Sequence, residues 1–232
     1  MKTRAAVVIA AGGTGRRMAR DTPKQYLLLE GEPLLLRSLR PFLQNPAVEW
    51  AIVALPAEDA TDPPAWLAVD DRITVVAGGA ERGDSVRSAL EAVPEAADVV
   101  LVHDAARPLV RQSVIDRTIA AAAAGVGAVA AIPVADTIKE VDQHGRIVAT
   151  PDRRQLWRAQ TPQGFPRFLI QRVYRQAEVD GVQATDDAAL VERYGGIVRV
   201  VEGSPDNLKV TGPDDLVIAA ALLRGRLHGN VC

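Results

Sequence analysis

Gly12, Gly13 and Gly15 fall within four positions, directly after an apolar run, and Arg16, Arg17 and Lys24 follow them. Glycines let a backbone close on a bound group and point its N–H donors at it, so such a turn is suited to cradling phosphate. Arg17 and Lys24 add permanent positive charge beside it, and Pro23 restrains the backbone before Lys24. These residue types suit nucleotidyl transfer. When a phosphate oxygen attacks the α-phosphorus of a nucleotide, negative charge gathers on the equatorial oxygens and on the leaving pyrophosphate. Preorganised cations and in-line placement stabilise that charge, and no protein nucleophile is required.

Other phosphate loops fit less well. A P-loop places Lys and then Ser or Thr directly after its last Gly, whereas Arg16 follows Gly15 here. A dinucleotide fingerprint needs a third Gly where Met18 stands, and an acidic residue at the end of the second strand, which here comes late, at Leu55. A tight turn with solvated arginines remains the bland alternative. Further along, "VHDAARP" places Asp104 and Arg107 after another apolar run. A carboxylate at the C-terminal end of a parallel strand faces the ligand crevice. His103 is read as structural, because a phosphate monoester is already largely dianionic at neutral pH and needs no general base. Arg82 and Asp84, in "GGAERGDSV", are either ligand contacts or a helix-start ion pair.

These residues need a frame, and the apolar pattern supplies one. Strands are expected at 5–11, 50–55, 73–79, 99–105, 127–134 and 197–203. Helices are expected at 33–43, 85–93, 111–124, 166–180, 186–194 and 213–227, with Thr185 or Asp186 capping the fifth. Pro41 is expected to bend or end the first helix. Continuous Val, Ile and Ala runs suit parallel strands buried on both faces, and their alternation with helices predicts a doubly wound, mostly parallel, Rossmann-like α/β sheet. The rhythm breaks at Asp136. "TIKEV" and "RIVAT", joined through "DQHG", predict a β-hairpin, read either as a dimerisation arm or as an edge excursion.

The totals narrow the classes. The 232 residues suit one domain, and 48% apolar with 24% charged residues is a globular balance. A net charge of −2 offers no general attraction to nucleic acid or to an anionic membrane. No apolar run reaches the ~20 residues that a membrane helix needs. Cys232 is the sole cysteine, which fits a reducing cytoplasm, rules out an intramolecular disulfide and argues against a Cys-based zinc site.

"AAGGTGRRM…PKQY", "GGAERGDSV", "VHDAARP", "DTIK", "TPQGF", "TDDA" and "DNLKVT" occur in this order across nearly the whole chain. Together they resemble the 2-C-methyl-D-erythritol 4-phosphate cytidylyltransferase family of the nonmevalonate isoprenoid pathway. The resemblance implies a CTP-dependent reaction giving 4-diphosphocytidyl-2-C-methyl-D-erythritol and pyrophosphate, with magnesium held mainly by the CTP phosphates rather than by a protein metal site. It implies one nucleotidyltransferase domain over 1–232, and a homodimer joined through an arm at 136–160. Arg17 and Lys24 match the transition-state cations, with Arg16 beside them. Ala10, Ala11, Gly12 and Gly15 match backbone contacts to CTP, and Gly79 and Ser85 match cytosine contacts, while Ala80 replaces an Asp common among relatives. Lys209 and Arg153 match the cations that orient the sugar-alcohol phosphate. Arg153 is expected to act from the partner subunit, and Arg154 stands beside it. Asp104, Arg107, Thr137, Thr161 and Thr185 match positions lining or supporting that substrate. Trp157 and Phe165 are read as packing residues. Two other readings remain. One is a ribitol 5-phosphate cytidylyltransferase, and the other is a non-catalytic nucleotide-binding module, which would bind CTP without releasing pyrophosphate.

Overall fold

The computed structural model describes residues 2–12 and 23–227. The first apolar run forms strand β1 (Ala5–Ala10). β2 (Leu28–Leu29) and β3 (Glu32–Pro33) make a short antiparallel pair ahead of helix α1 (Leu34–Leu43). Pro41 falls in the last turn of α1, which runs on to Leu43 rather than ending at the proline. There follow β4 (Val48–Leu55), α2 (Ala57–Thr61), β5 (Ile73–Ala77), α3 (Arg82–Glu91), β6 (Val99–Asp104), α4 (Gln112–Ala123) and β7 (Gly127–Pro133). The hairpin is β8 (Glu140–Val141) with β9 (Ile147–Ala149). The chain then runs through β10 (Trp157–Pro166), α5 (Arg167–Val179), α6 (Asp187–Arg193), β11 (Val198–Glu202) and α7 (Pro213–Leu227).

Seven strands form the main sheet in the order β11-β7-β10-β6-β1-β4-β5. All neighbours are parallel except β10, which runs antiparallel to both β6 and β7. The sequence pattern missed β10. Its stretch "RAQTPQGF" is polar, and Pro162 and Gly164 weaken any strand signal. Pro162 falls where the β10–β7 register shifts, between Ala159 and Gln163, so its missing N–H interrupts no regular ladder. Residues 157–160, counted with the arm in the sequence, lie in β10, and 157–159 pair with β7.

Alternate residues of β1 feed two cores. Ala5, Val7 and Ile9 pack with Leu35, Leu39 and Phe42 of α1 and with Val114, Ile115 and Ile119 of α4. Ala6 and Val8 pack with Val86 and Leu90 of α3, with α5, and with Val191 of α6. Phe165 is fully buried in this second core, where truncation to Ala would cost about 3–5 kcal/mol. Trp157, by contrast, is half exposed rather than packed. A third, smaller cluster joins Leu27, Leu29, Leu34, Leu109 and Val210 to Ala219 of α7. The arrangement brings the C-terminal ends of β1, β4, β5 and β6 to one edge, the usual position of a ligand crevice in an open α/β sheet.

Candidate active site

β1 ends beside β6 with Ala10 opposite Asp104, and the Ala105 N–H donates to the Ala10 carbonyl at 3.4 Å. From there Ala11 and Gly12 pass close to the β5–α3 turn. A Cβ on Gly12 would lie 2.5 Å from the Ser85 hydroxyl, so glycine there lets the two segments meet, and one on Gly79 would lie 2.2 Å from Cβ of Asp84, so glycine there lets the β5–α3 turn fold back on itself. Ser85 is buried. Its hydroxyl accepts the Gly79 N–H at 3.2 Å and donates to the Glu81 carbonyl at 3.2 Å. Ala10, Ala11, Gly12, Gly79 and Ser85 are therefore one neighbourhood. Gly15, Arg16 and Arg17 lie outside the described residues.

Helix α3 begins with a capping box between Glu81 and Asp84. Of the two readings left open for Arg82 and Asp84, the helix-start ion pair does not form. Asp84 is taken up by the cap, and Arg82 points across the sheet edge instead. It grips Asp187 through two nitrogens at 3.2 and 2.8 Å, and its Nε donates to Asp104 Oδ1 at 3.1 Å. Asp187 is fully buried at the start of α6 and also accepts the Tyr174 hydroxyl at 2.5 Å. Burial opposes the charge on Arg82, but Asp187 and Asp104 outweigh it and raise the guanidinium pKa.

Asp104 is where three cations meet. Besides Arg82, it receives Lys209 Nζ at 2.9 Å, and Arg107 Nε lies 3.5 Å from the same Oδ2. Burial alone would raise its pKa. Arg82, Lys209 and Arg107 more than offset that and hold the carboxyl well below the usual carboxylate range. Three fixed cations face two carboxylates, Asp104 and Asp187, so the cluster carries excess positive charge. The Arg107 guanidinium is itself desolvated and its pKa is lowered, chiefly by burial. Its NH1 donates to the Asn207 carbonyl at 2.8 Å.

A buried relay lies beneath. The Asp104 N–H donates to the Thr161 hydroxyl at 3.1 Å, and that oxygen lies 2.9 Å from His103 Nδ1. His103 Nε2 lies 3.1 Å from the Arg107 carbonyl, which can only accept. Nε2 therefore carries the proton, and Nδ1 accepts from Thr161. Burial pushes the imidazole down to about 4, so His103 is neutral and structural, in line with the sequence reading. The Thr161 hydroxyl thus links His103 to the Asp104 backbone.

The remaining candidates are dispersed. Lys24 opens a single turn, Lys24–Tyr26, held by the Tyr26 hydroxyl donating to Asp59 at 2.5 Å and by the Tyr26 ring edge against Trp66. Thr185 is exposed at a cleft of about 390 Å³ that Arg82, Tyr174 and Val182 also line. It does not cap α6: Asp186 does, accepting the Ala189 N–H at 2.9 Å. Thr137 and Arg153 are exposed at the base of the arm, where Arg153 NH1 donates to the Ala135 carbonyl at 2.6 Å. Arg154 is paired with Asp152, two positions before it, whereas Arg153 turns back to the Ala135 carbonyl. Sequence reasoning left Arg82 open and did not single out Asp187 or Asn207. The second Asp of "TDDA" and the Asn of "DNLK" were the available signals.

The family model for 2-C-methyl-D-erythritol 4-phosphate cytidylyltransferase matches residues 5–225. The chain belongs to this family. It is 42% identical to the 2-C-methyl-D-erythritol 4-phosphate cytidylyltransferase of Syntrophus aciditrophicus over 228 residues, covering 97% of each chain. It is 48% identical to that of Symbiobacterium thermophilum over 218 residues, 94% of this chain and 92% of the relative. The crystal structure of 4-diphosphocytidyl-2C-methyl-D-erythritol synthase from Anaerococcus prevotii superposes with a TM-score of 0.85 at 26% identity, covering 97% of this chain and all of that one. Within this cytidylyltransferase fold the antiparallel β10 delivers Thr161 to Asp104, and the 203–210 segment delivers Lys209. Among the described residues no helix is long and apolar enough to cross a membrane.

Proposed function

We propose that this protein transfers the cytidylyl group of CTP to 2-C-methyl-D-erythritol 4-phosphate, releasing pyrophosphate, in nonmevalonate isoprenoid biosynthesis. The observation that carries this reading is the excess of fixed cations around Asp104, at the strand ends where β1 and the β5–α3 turn meet. In the reaction a phosphate oxygen of the sugar-alcohol phosphate attacks the α-phosphorus of CTP. The bond from that phosphorus to the bridging oxygen breaks, and pyrophosphate leaves with the electron pair. Lys24 and Arg17 stabilise the charge that develops, and Arg16 adds to the positive field. The backbone of Ala10, Ala11, Gly12 and Gly15 approaches the triphosphate, and Gly79 and Ser85 read the cytosine edge. Lys209 and Arg153 hold the attacking phosphate, two cations on one dianion. Asp104 fixes Lys209 and Arg107 in place and faces the sugar alcohol, with Thr137, Thr161 and Thr185 lining or bracing the pocket.

The donor set suits magnesium brought by the nucleotide. Asp104 is already engaged by Arg82, Arg107 and Lys209, and Asp187 by Arg82 and Tyr174, so the ion would be held mainly by the CTP phosphates. Magnesium bound there would neutralise phosphate charge.

Arg153 reaches the site of a second copy, so the working unit is a homodimer joined through the arm. Ile138, Val141, Ile147 and Val148 of the arm expose large apolar surfaces that a second chain would cover. Small molecules are the substrates, with no nucleic acid or membrane partner, and the compartment is the cytoplasm, in keeping with the single cysteine.

Pyrophosphate release with CTP and magnesium, offered methylerythritol 4-phosphate and ribitol 5-phosphate in parallel, tests the reading. Release with the first substrate alone is expected. Release with ribitol 5-phosphate alone would keep the chemistry and overturn the substrate. CTP binding without release in either case would mean a nucleotide-binding module.

A further inference from the structure

Lys209 is a long, flexible side chain, yet the backbone that carries it is tied at almost every step. The Gly203 N–H donates to the Ala131 carbonyl at 2.8 Å. Ser204 exchanges hydrogen bonds with the buried Gln160 amide, giving its N–H at 3.3 Å and accepting at 2.9 Å. Asn207, fully buried, donates to the Thr161 carbonyl at 2.7 Å, and its own carbonyl accepts from Arg107. The Val210 N–H donates to the Ala106 carbonyl at 2.8 Å.

Between these ties sits Asp206, which the mechanism does not use. Its Oδ2 accepts from Arg111, at the start of α4, and from Arg226 in the last turn of α7, whose Nε and NH2 lie 3.2 and 2.8 Å away. Its Oδ1 accepts the Ser204 hydroxyl at 3.0 Å. The same Arg226 NH2 donates to the Leu109 carbonyl at 2.7 Å, two residues beyond Arg107. One arginine on the C-terminal helix thus ties the Lys209 segment to the Arg107 loop. Beneath it, the third apolar cluster packs Leu109 and Val210 together against Ala219 of α7.

We propose that Asp206 is a positioning residue for the acceptor phosphate: clasped by Arg111 and Arg226, it fixes the Lys209 segment against the Arg107 loop and makes α7 the backing of that half of the site. It acts through Lys209 and so rests on the reading of Lys209 given above. The clasp is partly buried, and each arginine makes more than one bond to the carboxylate, a geometry that resists displacement better than a single exposed pair.

The test is a double-mutant cycle of Asp206→Asn and Lys209→Ala, read as steady-state kinetics for each substrate with thermal unfolding alongside. Misplacing a phosphate-holding group by about 1 Å can lower turnover by about 10²-fold. Asp206→Asn is therefore expected to lower kcat/KM for the sugar-alcohol phosphate by about 10–100-fold, with KM for CTP moving less than about 3-fold. In the Lys209→Ala background the same substitution should add almost nothing, because residues acting as one unit are not additive. Arg226→Gln, which removes the clasp from the other side, should show the same selectivity and covers the case in which Asp206→Asn fails to fold. Equal losses with and without Lys209, equal effects on both substrates, or a lowered Tm with unchanged kinetics would each overturn the proposal. A Lys209→Ala enzyme with normal kinetics would instead overturn the reading beneath it.

Discussion

The surroundings of Asp104 and the arm at 136–156 carry matched parts of one proposed site, and they are built in opposite ways. Around Asp104 almost every polar side chain is tied to another strand or helix: Arg82 to Asp187, Arg107 to Asn207, Thr161 to His103, and Lys209 to Asp104 itself. Asp187 and Asn207 are fully buried. On the arm, Ile138, Val141, Ile147 and Val148 are 39–57% exposed, and Arg153 rests on a backbone carbonyl of its own arm. The difference teaches that one chain preorganises the centre of the site by itself, where fixed charges stabilise a transition state without reorganising. The arm instead leaves its apolar side chains exposed, and in our reading the second subunit covers them.

The contrast is best sharpened by removing charge from each side. Lys24→Ala or Arg17→Ala should lower kcat by about 10³-fold or more, as for other cations on a transferring phosphoryl group, measured by pyrophosphate release at saturating CTP. Near-normal turnover would remove the catalytic role. Asp104→Asn keeps the shape but leaves Arg82, Arg107 and Lys209 without their shared counter-charge. We expect about a 10²-fold loss in kcat/KM together with a destabilisation of about 3–5 kcal/mol, seen in denaturant titration. Arg153→Ala should raise KM for the sugar-alcohol phosphate about 10-fold and leave stability unchanged, since an exposed side chain holds little of the fold. A large stability loss on the arm, or none at Asp104, would break the comparison.

Acid gives a smaller and more gradual effect. Burial holds the His103 imidazole near 4, against an ordinary 6.5. The unfolded chain therefore binds a proton there at higher pH than the folded one does. Stability should be complete above about 6.5 and should fall as pH drops toward 4, by roughly 3 kcal/mol at most from this residue. Unfolding midpoints of the wild type and His103→Gln across this range check it: the variant should show a flatter slope between those values.

How much of this was legible from the chain follows the same division. The buried parallel strands were plain, because Val, Ile and Ala runs read as strands whatever surrounds them. β10 was not, since a strand carrying Pro162 and Gly164 is specified by its neighbours β6 and β7 rather than by its own residues. The Gly-rich turn announced phosphate chemistry through residue type, "VHDAARP" announced a ligand crevice, and "DNLK" gained its phosphate role only through the family resemblance. The links between them did not show. Arg82 meets Asp187 across 105 positions and Arg107 meets the Asn207 carbonyl across 100, distances over which no periodicity carries information. Capping was half legible: "TDDA" marked the start of α6, but which residue turned its oxygen to the Ala189 N–H depended on backbone angles.

The central claim, that a complete site joins the preorganised body of one chain to the arm of another, has a direct test. Lys209→Ala and Arg153→Ala chains are purified separately, then dissociated and reassociated together, and pyrophosphate release is measured with CTP and methylerythritol 4-phosphate. A mixed dimer would hold one site with Lys209 from one chain and Arg153 from the other, so activity should rise well above that of either parent. Activity that stays at the parental level, with mixed dimers shown to form, would contradict the account.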